Sequence, residues 1–277
     1  MKFPDQFVWG TASSSYQIEG AFDVDGRGMS IWDTFSRTPG KVQNGDTGDR
    51  ACDHYNRFAE DIELMKDLGV SAYRFSIAWP RLFPKGDEVR EQRGFDFYDR
   101  LINALIAAGI EPMVTLYHWD LPQALEDKGG WANRDIVAAF EHYAKACVEA
   151  FGDRVQNWIT INEPWCVSWL GYSNGVHAPG KKDFNLAIAS SHHTALAHAA
   201  ATRAIRSYKS DAIVGLTLNM NNIHNESPQD QEVVDFAALN DSNLNRWWID
   251  AFSTGKYPQN LVDCYGEMLS RVVMPGD

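Results

Sequence analysis

The residues best suited to chemistry are Asn162 and Glu163, which follow the run 155–161 and precede Pro164. An apolar, β-branched run that ends in a single carboxyl predicts a buried strand that delivers an acid to the rim of a sheet. In barrels of parallel strands, such strand ends form the active site. A carboxyl beside an amide donor suits proton transfer to a leaving oxygen. Glu163 is therefore the first candidate for a catalytic group.

Other polar side chains fall at or near the ends of the remaining predicted strands. They are Gln17, Arg74, His118, Trp119 and Asn219. Singly, each has an ordinary interpretation: Arg74 could form a buried ion pair, His118 could be a hydrogen-bonded core histidine, and Asn219 could cap a helix. Jointly, they are hard to assign to stability alone. Neutral donors and acceptors, a lone carboxyl and indoles suit an uncharged, polyhydroxylated ligand.

The elements that must position these residues alternate between short β-branched or aromatic runs and longer helical runs. We predict strands at 7–12, 72–78, 112–117, 155–161 and 213–218, and helices at 53–68, 95–108 and 134–151, each followed by a glycine that stops it, and at 186–208. Helices between 230 and 269 are expected to be broken near Gly255 and Pro258. Asp53 is the expected N-cap of the first helix. This alternation predicts an α/β fold with a parallel sheet.

The repeating units have the spacing of a (β/α) barrel, but only about five are present, whereas a closed barrel needs eight strands. A five-strand piece would leave two open edges. No linker or break in composition divides the chain, so we expect a single domain over residues 1–277.

Composition limits the class of protein. The hydrophobic content of 44% and the charged content of 22% are typical of a soluble globular chain. The net charge of −12, without a basic stripe, argues against a nucleic-acid partner. No apolar run approaches the roughly 20 residues that cross a bilayer, so no membrane partner is expected. The N-terminus lacks the apolar core of a signal peptide, and the four cysteines form no CxxC pair, which predicts a cytoplasmic protein with free thiols.

Seven motifs along the chain carry a family resemblance. They are FVWGTA at 7–12, QIEG at 17–20, SIWD at 30–33, YRFSIAWPR at 73–81, TLYHWDLP at 115–122, TINEPW at 160–165 and HAPG at 177–180. Together they resemble the N-terminal part of the family 1 glycoside hydrolases, a family of β-glucosidases. The resemblance covers essentially all 277 residues. It implies a (β/α)8 TIM barrel, of which this chain supplies about the first five βα units, and retaining hydrolysis of β-glucosides.

The resemblance also implies roles for single residues. Glu163 matches the acid/base that protonates the leaving oxygen and later activates water. Asn162 matches the residue that binds the sugar 2-hydroxyl, and Arg74 matches the arginine that keeps the nucleophile ionised. The remaining matches are Gln17, His118 and Trp119 around the glycone, and Trp165 and Asn219 near the aglycone. No metal or organic cofactor is implied.

One part of the family pattern is missing. The nucleophile of the family is a second glutamate in a Thr-Glu-Asn-Gly motif, which this sequence does not contain. Glu226 and Glu267 stand in different contexts. Retaining hydrolysis needs two carboxyls about 5–5.5 Å apart, so this chain alone is expected to be inactive. A complementary C-terminal fragment is expected to carry the nucleophile.

Two other hypotheses remain open at this point. The chain could be a truncated product that binds sugar or self-associates through its open edges without hydrolysing anything. It could also be a structural fragment without a ligand, although Gln17, His118 and Glu163 argue against that.

Overall fold

The computed structural model describes residues 2–225 and 227–277. In these residues, five parallel strands form one sheet, and each strand pairs with its neighbours in chain order. The strands are β1 (Gly10–Ala12), β2 (Ala72–Ser76), β3 (Glu111–Tyr117), β4 (Asn157–Asn162) and β5 (Ile213–Thr217). The predicted parallel sheet is confirmed, and its order is that of the first strands of a (β/α) barrel.

Helices fill the connections between the strands. They are α1 (Ser15–Ile18), α2 (Ile31–Arg37), α3 (His54–Leu68), α4 (Trp79–Leu82), α5 (Gln92–Ala107), α6 (Gln123–Glu126), α7 (Ile136–Phe151), α8 (Phe184–Tyr208), α9 (Gln231–Asp241), α10 (Trp247–Thr254) and α11 (Gln259–Ser270). Short 3₁₀ turns cover Gln43–Gly45 and Gly130–Ala132, and π-helical turns cover Cys166–Ser173 and Ser242–Arg246. The long helices α3, α5, α7 and α8 are the four that the sequence predicted.

The predicted start of β1 was wrong, and the predicted N-cap of the first long helix is confirmed in position only. Strand β1 begins at Gly10 instead of Phe7, and the rings of Phe3, Phe7 and Trp9 pack on one another ahead of it with centroids 4.6–4.8 Å apart. Asp53 precedes α3 as expected, but its side chain makes no capping hydrogen bond, because its own backbone has a left-handed φ of 59°. Its carboxylate instead accepts a hydrogen bond from Asn56.

The main hydrophobic core lies between the sheet and its helices. Trp79 stacks on Tyr143 of α7 with ring centroids 4.7 Å apart, and both side chains are fully buried. The inner strands β2 to β4 are mostly buried, whereas Ile213 on β5 is 62% exposed. Strands β1 and β5 are thus the open edges that five strands must leave.

A second apolar cluster joins the C-terminal helices to α8. Trp247, Trp248 and Leu261 pack with Ile188 and Ala195 of α8. The predicted breaks are confirmed, since Gly255, with φ of 70°, directly follows α10 and Pro258 precedes α11. No helix in residues 2–225 or 227–277 has the length and apolar character needed to cross a membrane.

Candidate active site

The candidate residues lie at or just beyond the carboxyl ends of the strands, which all fall at the same end of a parallel sheet. Gln17 lies on α1 just after β1, Arg74 lies on β2, and His118 and Trp119 follow β3. Asn162 ends β4 and Glu163 follows it, while Asn219 lies two residues after β5. Arg74 and Trp119 each donate a hydrogen bond to Asn162.

Arg74 reaches across β3 to the end of β4. Its Nη2 donates to Oδ1 of Asn162 at 2.5 Å, and its Nε donates to the hydroxyl of Thr115 at 3.0 Å. Burial lowers the pKa of Arg74, and the nearby charge of Glu163 opposes this shift. Within the described residues, Arg74 forms no ion pair, so the structure does not support the interpretation that Arg74 is one half of a buried pair. Since Oδ1 of Asn162 accepts from Arg74, its Nδ2 is left to donate to a ligand.

The backbone of Glu163 is fixed by a hydrogen bond to β5 and has an unusual conformation. Its amide donates to the carbonyl of Thr217 on β5 at 2.9 Å, and its φ is 49°, a left-handed value that costs a non-glycine residue energy. Pro164 then opens a helical turn, which brings Cys166 back towards the carboxylate. The Cys166 thiol donates to Oε2 of Glu163 at 3.4 Å. Burial and the Glu163 carboxylate raise the pKa of Cys166 to about 12, so this thiol stays protonated.

Trp119 supports the same backbone from β3. Its Nε1 donates to the main-chain carbonyl of Asn162 at 2.9 Å, so the indole N–H is already used within the protein. The indole stacks on Trp32, with centroids 6.4 Å apart, and contacts the ring of His177 at 5.0 Å. Burial lowers the pKa of His177, and the charge of Glu163 opposes this. His177 therefore lies near enough to Glu163 to feel its charge, and Trp119 lies between His177 and the backbone of Asn162.

His118 is a neutral imidazole at neutral pH. Burial, with a smaller contribution from the Arg74 charge, lowers its pKa to about 4. Its Nδ1 is buried and has no hydrogen-bond partner among the residues that the structure describes. A neutral imidazole offers one donor and one acceptor, which suits an uncharged ligand.

The other three predicted residues lie farther out. Gln17 is exposed on α1. The Nε1 of Trp165 donates to Oδ1 of Asn243 at 2.8 Å, which ties this indole to the C-terminal helices. The carbonyl of Asn219 accepts from Asn221 at 3.2 Å. In the described part of the chain, no hydrogen bond connects these three residues to Arg74, Asn162 or Glu163.

Sequence reasoning missed Cys166 and a buried group formed by Ser15, Ser76 and Asp120. The signal was available for Asp120, since a charged residue directly after Trp119 in an apolar context predicts a buried partner. Nothing in the sequence could show the contact between Cys166 and Glu163, because it depends on the helical turn after Pro164.

The two later glutamates do not add a carboxyl to this group. Glu267 lies on α11, its side chain is 87% exposed, and it pairs with Arg271 at 2.9 Å. Glu226 lies outside the described residues. Within residues 2–225 and 227–277, no cluster of three or more His, Cys, Asp or Glu residues could hold a metal ion.

Comparison with known proteins identifies similar sequences. The model of glycosyl hydrolase family 1 matches residues 1–275. Beta-glucosidase A of Acetivibrio thermocellus is 46% identical over 99% of this chain and 61% of its own length. Beta-glucosidase A of Thermotoga maritima is 48% identical over 97% of this chain and 60% of its own length. The chain thus spans about three-fifths of these curated relatives and corresponds to their N-terminal part.

Solved structures agree on the fold. The AHE enzyme from Alicyclobacillus herbarius matches all of this chain and 63% of its own, with a TM-score of 0.96 and 46% identity. The family 1 β-glucosidase from Thermotoga maritima, solved in complex with isofagomine lactam, matches 97% of this chain and 61% of its own, with a TM-score of 0.93 and 48% identity. The predicted (β/α)8 TIM barrel, with about its first five βα units in this chain, is confirmed.

Proposed function

Because the chain belongs to glycosyl hydrolase family 1, we propose that it provides the acid/base half of a retaining β-glucosidase site. The substrate is a β-glucoside or short oligosaccharide with a terminal β-D-glucosyl residue. A complementary C-terminal fragment completes the barrel and supplies the nucleophile. The 277 residues combined with that fragment are called the complete barrel below.

The observation that carries the proposal is the fixed position of Glu163 beside Asn162. The Glu163 amide is bound to Thr217, and the Asn162 amide group is oriented by Arg74. A carboxyl held at a strand end can donate a proton to a glycosidic oxygen, while the oriented Asn162 Nδ2 binds the neighbouring sugar hydroxyl.

Arg74 supports the proposal of a second carboxylate. This guanidinium is half-buried and forms no ion pair with a described residue, although burying an unpaired charge is costly. A carboxylate from outside these residues would satisfy it and would in turn be kept ionised. The absence of the Thr-Glu-Asn-Gly motif from the sequence fits a nucleophile on the complementary fragment.

The reaction then proceeds in two steps. In the first, protonated Glu163 gives its proton to the leaving oxygen as the second carboxylate attacks the anomeric carbon, which breaks the glycosidic bond and forms a glycosyl-enzyme. In the second, ionised Glu163 takes a proton from water, whose oxygen attacks the same carbon and releases the carboxylate. Neutral His118 and the exposed Gln17 are proposed to bind the glycone hydroxyls, with Trp165 and Asn219 nearer the aglycone.

We also propose that residues 1–277 form one domain. The C-terminal helices share an apolar cluster with α8, and α8 packs along α7. Limited proteolysis that released a stable C-terminal piece would contradict this.

The central test compares Glu163→Gln with Glu111→Gln in the complete barrel. Glu111 is an exposed carboxyl at the opposite end of the sheet, at the start of β3. Glu163→Gln should slow cellobiose hydrolysis by about 100-fold or more, in the range of general acid–base catalysis. It should slow the first step on an activated aryl glucoside much less, because that leaving group needs no proton. An unchanged rate of cellobiose hydrolysis in Glu163→Gln would show that Glu163 is not the acid/base.

The need for a partner is tested by intact mass spectrometry of material assayed on an aryl β-glucoside. Two masses together with activity would support a complementary fragment. Turnover by a single species of 31.2 kDa would contradict it. Saturable gluconolactone binding without turnover, in the presence of the fragment, would instead favour an inactive sugar-binding protein.

A further inference from the structure

Three buried polar side chains next to the candidate residues form a hydrogen-bonded group. The Ser76 hydroxyl donates to Oγ of Ser15 at 3.0 Å, and the Ser15 hydroxyl donates to Oδ2 of Asp120 at 2.6 Å. The Ser15 amide donates to Oγ of Ser76 at 2.7 Å. All three residues are at most 3% exposed. The group therefore ties the connection after β1 to the ends of β2 and β3.

Each member stands two positions from a candidate site residue. Ser15 begins the turn α1 that carries Gln17, and Asp120 follows His118 by two residues. Ser76 and Arg74 lie two apart on β2 and so point to the same side of the sheet. The group is placed to set the spacing between Gln17 and His118.

The turn α1 depends on this group because it has no cap of its own. Ser14, at its N-cap position, makes no capping hydrogen bond. The first amide of the turn, that of Ser15, is satisfied by Ser76 from another strand. Asp120 is the terminal acceptor, and burial raises its pKa to about 7, opposed by the Ser15 hydrogen bond and by the charge of Arg27, while the charge of Glu19 adds to it. Among the described residues, the Ser15 hydroxyl is the one side chain that hydrogen-bonds to the Asp120 carboxylate, and its Oδ1 has no partner. Burying a carboxylate with so few partners is costly, so its contact with Ser15 calls for an explanation.

We propose that Asp120 is a positioning residue that acts through Ser15 to fix the turn bearing Gln17, and thereby sets the affinity of the site for the glycone. This inference rests on the proposed β-glucosidase function. Asp120 itself does not touch the sugar.

The test is a double-mutant cycle in the complete barrel with Asp120→Ala and Gln17→Ala, assayed on an aryl β-glucoside and by inhibition with gluconolactone. Asp120→Ala should raise KM and the inhibition constant by about 3- to 10-fold, the value of one typical hydrogen bond, with kcat within about 3-fold. In the Gln17→Ala background, Asp120→Ala should have little further effect on KM, because the side chain through which Asp120 is proposed to act is already absent. Asp120→Asn, which keeps an acceptor for Ser15, should restore most of the affinity.

A purely structural role predicts a different pattern. Equal effects of Asp120→Ala with and without Gln17 would overturn the inference, as would a fall in kcat without a change in KM. If Asp120→Ala fails to fold, Ser15→Ala breaks the same connection and should give the same non-additivity with Gln17→Ala. Glu163→Gln is assayed alongside. If Glu163→Gln leaves cellobiose hydrolysis unchanged, the proposed function fails. If Glu163→Gln slows cellobiose hydrolysis as expected but the effects of Asp120→Ala and Gln17→Ala are additive, only the Asp120 inference is overturned.

Discussion

The indole Nε1 of Trp119 donates to the main-chain carbonyl of Asn162. The donor residue and the residue that follows the acceptor, Glu163, both have strained backbones. Trp119 has a φ of 79° and Glu163 a φ of 49°. Such left-handed conformations cost about 1–3 kcal/mol each and persist only where the surrounding structure fixes them. The contact joins the two connections that follow β3 and β4, so Trp119 supports the backbone that aims Glu163.

This relationship predicts how Trp119→Phe will act in the complete barrel. Loss of the donor should lower kcat for cellobiose by about 10-fold or more, because a small misplacement of a catalytic group is costly. The loss should be smaller on an activated aryl glucoside, which does not need the Glu163 proton. Trp248→Phe is the control, since that buried indole of the second apolar cluster has no hydrogen-bond partner among the described residues. A rise in KM alone would show that Trp119 serves glycone binding instead.

A buried ion pair near the site should dominate the stability of this region. Arg81 donates to Glu19 at 3.1 Å through Nε and Nη2, and the Tyr98 hydroxyl donates to the same carboxylate at 2.5 Å. Glu19→Ala leaves a buried guanidinium unpaired and should lower the free energy of unfolding by about 3–5 kcal/mol. Urea unfolding of the complete barrel measures this. The exposed pair of Glu267 and Arg271 is the control, and Glu267→Ala should change stability by about 0.5 kcal/mol or less. Equal effects of the two changes would contradict the prediction.

The pH dependence of stability should carry a contribution from His198. Burial lowers its pKa to about 4, and its Nδ1 lies 2.7 Å from the Thr160 hydroxyl. The unfolded chain therefore binds a proton between pH 6.5 and 4 that the folded chain does not, so stability is lost as pH falls through this window. His198→Asn removes the effect, and its stability relative to the unmodified protein should rise by about 2 kcal/mol between pH 7 and pH 4.5.

Urea midpoints at the two pH values provide the measurement for His198. His224→Asn is the matched control, because His224 is exposed. Parallel pH profiles for the unmodified protein and His198→Asn would show that His198 titrates normally in the folded state.

The open edge at β5 should make the 277-residue polypeptide associate with itself. Ile213 is 62% exposed on this edge, where unpaired backbone groups can accept another strand. Ile213→Lys should reduce association in sedimentation velocity experiments, because a charge on an edge strand opposes pairing. Ile106→Lys on α5 changes an isoleucine of 44% exposure away from the edge and should have no such effect. A monodisperse monomer at high concentration would refute the prediction.

The sequence alone determined the order of the elements, because the signals for them are local. β-branched runs, helical periodicity and glycine stops predicted the long helices and the parallel strands to within a few residues. Motif spacing was also enough to place Glu163 at a strand end, since the run before it is continuous in the chain.

Only the tertiary structure decided which groups meet. Arg74 and Asn162 are 88 positions apart, and their hydrogen bond exists because β2, β3 and β4 lie side by side. The same folding commits the Trp119 N–H to the carbonyl of Asn162. It also brings the Cys166 thiol against Glu163. These contacts depend on backbone angles and strand register, which are set by packing of the whole sheet and leave no local signal in the sequence.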